Sequence, residues 1–166
     1  MAHRPARDAP SPLIGALIGA IAYLLGLGFV LSVEYLGLHP ESGIWMREFS
    51  GAEYLVLHAG THLPVWGREI HSELLVYTVL LMYLLVIAGF VTTRMVGTRT
   101  DDAFRTGGSV VFGYLPATFA GNLYALVALD AITATQLFAP TLIVGFFYPI
   151  IFGGAGGALA NWLDSR

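Results

Sequence analysis

Residues 131–163 read AITATQLFAPTLIVGFFYPIIFGGAGGALANWL, without one charged side chain. About 20 helical residues rising ~1.5 Å each cover the ~30 Å hydrocarbon core of a bilayer, so the stretch is long enough to cross. Residues 9–33, 74–93 and 106–129 are uncharged in the same way. Backbone groups inside lipid must satisfy one another, which four uniform apolar runs achieve as helices. Barrel strands would be alternating segments of about ten residues, and the sequence has no such pattern. The expected fold is an all-α membrane protein: four transmembrane helices in a bundle, with a short external interfacial helix.

The 166 residues leave little chain beyond the spans, which predicts one transmembrane domain. Hydrophobic residues make up 56% and charged ones 11%, against the roughly 25% charged of soluble domains. There is no cysteine, which removes disulfides, thiolate metal sites and cysteine nucleophiles together. All eight basic residues are arginine, and eleven acidic residues leave a net charge of -3, a pattern that suits a salt-loving organism. In molar salt the Debye length falls to ~3 Å, so exposed charges would steer nothing over distance.

Arginines set the expected orientation. Arg4, Arg7, Arg94, Arg99, Arg105 and Arg166 flank one side of the spans, and only Arg47 and Arg68 the other. That asymmetry places both termini in the cytoplasm of a cell-membrane protein. Spans are expected at about 12–33, 73–93, 108–129 and 136–160, with an external loop at 34–72 and a cytoplasmic loop at 94–107. The first apolar segment, from Leu13 to Val33, exceeds the ~7 to 15 residues of a secretion signal's core and is read as a retained span.

Small residues keep a four-residue register in three spans: Gly15 and Gly19; Gly113, Ala117, Gly121 and Ala125; Gly145, Gly153 and Gly157, with Pro149 and Asn161 in the same register. Positions four apart share a helix face, and small ones admit a neighbouring backbone, the main route to helix association in lipid. These faces are expected to pack helices one, three and four, or to bind another subunit. Span two is leucine, valine, tyrosine and methionine over much of residues 74–87, without glycine or alanine, and is expected at the bundle's edge, facing lipid. Pro149, followed by Gly153, Gly154, Gly156 and Gly157, is expected to kink span four and to let its cytoplasmic half bend.

Residues 34–73 hold His39, His58, His62 and His71 and six glutamates. His58 and His62 would share one face of a continuous helix, as metal ligands do. Local signals oppose that. Ser50 to Glu53 form a capping box, Gly60 fits a helix end and Pro64 restrains Leu63, so a short interfacial helix ends before His62. No metal or other cofactor is expected.

Among polar residues within the spans, Asn122 sits near the middle of span three. It serves either as an interhelical hydrogen bond or, with a kinked Pro149, as part of a solute path. No ionisable residue lies deep, which disfavours a proton relay. There is no phosphate-binding loop, metalloprotease motif or nucleophile elbow, and an enzyme is disfavoured. Two classes remain: a structural or accessory membrane protein associating through its glycine faces, or a small oligomeric transporter or channel. Expected partners are membrane lipid and copies of itself or a larger membrane complex, with no nucleic acid.

Residues 53–65 (EYLVLHAGTHLPV) and 147–159 (FYPIIFGGAGGAL) resemble stretches of small haloarchaeal four-span membrane proteins of unknown function. His62 matches that family's histidine after a short aromatic or aliphatic run. The resemblance implies archaeal origin and the same topology, and a transporter-like label carried by some relatives.

Overall fold

The computed structural model describes residues 12–35, 72–97, 102–127, 138 and 141–166. Every described element is helical: α1 (Pro12–Tyr35), α2 (Ser72–Val96), the short α3 (Ala103–Gly108), α4 (Val111–Val127) and a C-terminal run, Thr141–Asp164. That run begins with two wide, π-helical segments, Thr141–Phe147 and Pro149–Gly153, and ends in regular α5 (Gly154–Asp164). By length and apolar composition, α1, α2 and the C-terminal run can each cross a membrane. The external loop, its capping box and the loop histidines lie outside the described residues.

Local chemistry sets the ends. α2 stops at Gly97, whose φ of 67° is left-handed, and the Gly97 amide donates to the Thr93 carbonyl at 3.0 Å. α3 and α4 meet in a tightened turn. There Ser109, Phe112 and Gly113 donate backbone bonds three residues back, and the Ser109 hydroxyl caps the Thr106 carbonyl at 2.6 Å.

The contacts fix relative directions. Gly15 lies against Ser109, and Gly19 against Val110 and Tyr114, so α1 and α4 run parallel. Gly89 meets Gly153 while Arg94 pairs with Asp164, so α2 and the C-terminal run are parallel too. Gly107 meets Gly153, Gly145 meets Thr118, and Asn122 bonds Thr141, which makes α3–α4 antiparallel to the C-terminal run. The chain thus reverses direction between each successive long helix.

The inside combines an apolar core with buried threonines and one asparagine, and the outside is large and apolar. Ala22, Tyr23, Leu81, Leu85, Ala88, Val110, Tyr114 and Val144 form the core, with Tyr23 and Tyr114 edge to face at 5.6 Å. Around it are buried Thr92, Thr93, Thr106, Thr118, Asn122 and Thr141. Thr92, Thr93 and Thr118 each return a hydroxyl bond to the carbonyl four residues back, which keeps a buried hydroxyl satisfied within its own helix. Facing outward are Leu13, Leu17, Ile21 and Leu24 of α1, and Val79, Tyr83, Ile87, Val91 and Met95 of α2. Water-soluble domains seldom expose apolar surface on that scale.

Two expectations are corrected. α2 is not peripheral: Leu81, Leu85, Ala88, Gly89, Thr92 and Thr93 are buried, and the helix packs along α1, α3 and the C-terminal run. Its close-approach face begins at Ala88, beyond the leucine-rich segment on which the edge placement rested. Residues 94–107 are not simply a loop, because α2 continues to Val96 and α3 begins at Ala103. Ala103, Thr106, Gly107 and Gly108 are buried, being small enough for that turn to lie on the neighbouring backbone, while Arg105 stays exposed. At Pro149 the expected irregularity takes the form of wide, π-helical winding. The irregular winding lies on both sides of the proline, from Thr141 to Gly153, and regular α-helix follows over Gly154–Asp164. Proline lacks an N–H and its ring crowds the carbonyl four residues back, which a wider turn relieves.

Candidate functional site

Two glycine seams and one polar notch hold the bundle's chemistry. In the first seam, α1 crosses α4. A Cβ on Gly19 would overlap the Val110 carbonyl, one on Gly113 the Ala16 carbonyl, and one on Gly15 the Ser109 side chain. The absent side chains are what let these backbones touch.

The second seam joins three elements. A Cβ on Gly89 would overlap the backbone of Gly153; one on Gly153 would lie 2.7 Å from the Gly107 carbonyl oxygen; one on Gly107 would reach Gly153 and Gly157. Gly157 in turn lies against the Ala103 carbonyl and 2.8 Å from the Thr93 hydroxyl, measured from the same ideal Cβ. The Thr93 hydroxyl also donates weakly to the Ala103 carbonyl at 3.4 Å, tying α2 to α3 at this level. Backbone therefore meets backbone on both sides of the C-terminal run.

The small residues singled out in the sequence are distributed as follows. Gly15, Gly19 and Gly113 lie in the first seam, and Gly153 and Gly157 in the second. Gly145 packs on Leu115 and Thr118 of α4. Ala117 is half-buried against the core, Gly121 is half-buried, and Ala125 belongs to α4. Each of the six glycines with a described neighbour faces a helix of its own chain. Sequence spacing missed Gly89, Gly107 and Gly156, the last of which rests on the Val86 carbonyl and the Phe90 amide. A four-residue register selects one face only, but the C-terminal run is gripped on two faces, so its glycines fall out of a single register. The signal available for Gly89 was its adjacency to Ala88 inside an otherwise bulky span.

The notch lies toward the start of the C-terminal run. Asn122, 1% exposed, donates its Nδ2 to Thr141 Oγ1 at 2.8 Å. Its Oδ1 is buried and accepts no hydrogen bond among the described residues. Pro149 is buried farther along the run, beyond Gly145. His58 and His62 lie outside the described residues.

At the opposite end the charges collect. Arg94 pairs with Asp164 at 2.7 Å, with side chains 45% and 55% exposed, and its guanidinium lies over the Phe90 ring at 5.3 Å. Arg166 lies over Trp162 at 3.7 Å. An ion pair this wet contributes about 0–1 kcal/mol, so it marks an interface with water more than it holds the fold. Rings beside guanidinium groups suit the headgroup level of a membrane.

Among the described residues, the seams are suited to holding helices together and the notch to hydrogen bonding. Neither brings together a nucleophile and a base. A model of the family of unknown function DUF7978 matches residues 54–164, well over half of the chain. No curated protein and no solved structure matches. The matched segment takes in α2, α3, α4 and the C-terminal run, with all three elements of the second glycine seam. The chain belongs to DUF7978, a family of unknown function.

Proposed function

We propose that this protein crosses the cell membrane four times, with both termini cytoplasmic, and serves as a structural or accessory membrane component. Three helices long and apolar enough to cross support the membrane reading. α3 and α4 together supply the fourth crossing: they run from Ala103 to Val127, opposite in direction to the C-terminal run. The arginines Arg94, Arg105 and Arg166 at one end support the sidedness. The all-arginine basic set supports a salt-loving, archaeal cell.

The second glycine seam carries the choice between accessory component and transporter. Gly89, Gly107, Gly153 and Gly157 meet at backbone level, which leaves no width for a solute between α2, α3 and the C-terminal run there. A path within one chain from Asn122 and Pro149 along the C-terminal run would have to pass this closure. The glycines are occupied within the chain, so lipid, further copies or a larger membrane complex would be met by the outward leucine, isoleucine, tyrosine and phenylalanine side chains.

Purified protein reconstituted into liposomes tests the choice. Stopped-flow measurement of glycerol, urea and monovalent-cation entry should give the rate of protein-free vesicles. Entry that rises with protein content, and is lost in Asn122→Leu, would establish the transporter reading instead.

A further inference from the structure

Asn122 holds a buried acceptor to which no donor is assigned. One Nδ2 hydrogen goes to Thr141 Oγ1, and its Oδ1, fully buried, receives nothing among the described residues. One turn earlier in α4, the Thr118 hydroxyl is committed to the Tyr114 carbonyl at 2.9 Å. Across the contact, Gly145 packs on Thr118, its ideal Cβ 3.2 Å from the threonine Cβ.

Pro149 adds a second deficit. In π-winding an N–H bonds the carbonyl five residues back, so the missing N–H of Pro149 gives nothing to the carbonyl of Val144. Val144 is buried, and it lies within one turn of Thr141. In a membrane-embedded helix, the groups that a proline frees are met by local π adjustment and by ordered water. The first of these responses is present in this run.

We propose that a single water molecule is held inside the bundle between Asn122 Oδ1 and the proline-opened turn of the C-terminal run. Water supplies two donors, matching the two acceptors, and buried waters settle where polar groups would otherwise go unpaired. A cation is the poorer fit, because neither Val111–Val127 nor residues 141–163 carry an acidic side chain. The site needs no particular membrane sidedness, so it stands or falls separately from the proposed topology.

Only two asparagines, Asn122 and Asn161, occur in the chain, which makes the test selective. Protein labelled with [15N]asparagine in lipid nanodiscs is measured for cross-relaxation between side-chain amide protons and water, with Asn122→Ala assigning the signals. The Asn122 amide should show a long-lived water contact that persists when a soluble paramagnetic chelate relaxes bulk water. In Pro149→Ala, which restores the N–H, that contact should be lost. A cross-peak to a protein hydroxyl or amide in place of water, or no water contact in the unmodified protein, overturns the proposal. The unmodified spectrum decides even if Pro149→Ala does not fold.

Discussion

Gly89 and Gly28 both sit inside long apolar helices, yet their surroundings differ. A Cβ on Gly89 would strike the backbone of Gly153, whereas one on Gly28 would meet nothing within 4 Å. Backbone cannot step aside as a flexible side chain does, so Gly89→Ala should destabilise the protein by about 1–3 kcal/mol. Gly28→Ala should stay within about 0.5 kcal/mol of the parent, as surface changes usually do. Unfolding in graded detergent, followed by circular dichroism, compares the two, and equal stabilities would argue against the second seam. Gly153→Leu, with its larger side chain, should abolish folding. The four-residue spacing of small residues was legible at Gly15 and Gly19 of α1 and at Gly113 of α4, which face each other across a single seam. It failed at Gly89 because one glycine beside Ala88 is enough where the opposing residue is also glycine, and a single position has no period.

At the scale of elements, α2 shows most clearly what the sequence left open. Its composition reads as apolar all round, so no pattern separates a lipid face from a protein face, and lipid offers no hydrophobic contrast to sort them. The sorting comes from size at the seam. Val79, Tyr83, Ile87 and Val91 point outward at four-residue spacing, and Leu81, Leu85 and Ala88 point in. Spin labels placed singly along α2 in liposomes should show high collision rates with oxygen at the first set and low rates at the second. Uniformly high rates would mean a helix bathed in lipid on all sides. The C-terminal run was legible as an apolar helix with a proline defect, but the reach of the irregular winding, from Thr141 to Gly153, was not. The backbones of Val86, Phe90 and Ala103, which meet the regular half, come from other parts of the chain.

For the whole molecule, the apolar runs and the distribution of arginine were enough to anticipate a helical bundle. The pairing of helices was not readable, since parallel contacts of α1 with α4 and of α2 with the C-terminal run join segments far apart in sequence. The alternation of direction those contacts define is what four membrane crossings require, with Arg94, Arg105 and Arg166 together at one end. The natural absence of cysteine permits a direct test in intact cells with single reporters. His3→Cys, Thr98→Cys and Ser165→Cys should react with a membrane-impermeant thiol reagent only after the cells are opened, and Ser42→Cys and Ala131→Cys should react beforehand. Labelling of Ser165→Cys and Ser42→Cys from the same side, or recovery of the protein in the soluble fraction, would contradict four crossings.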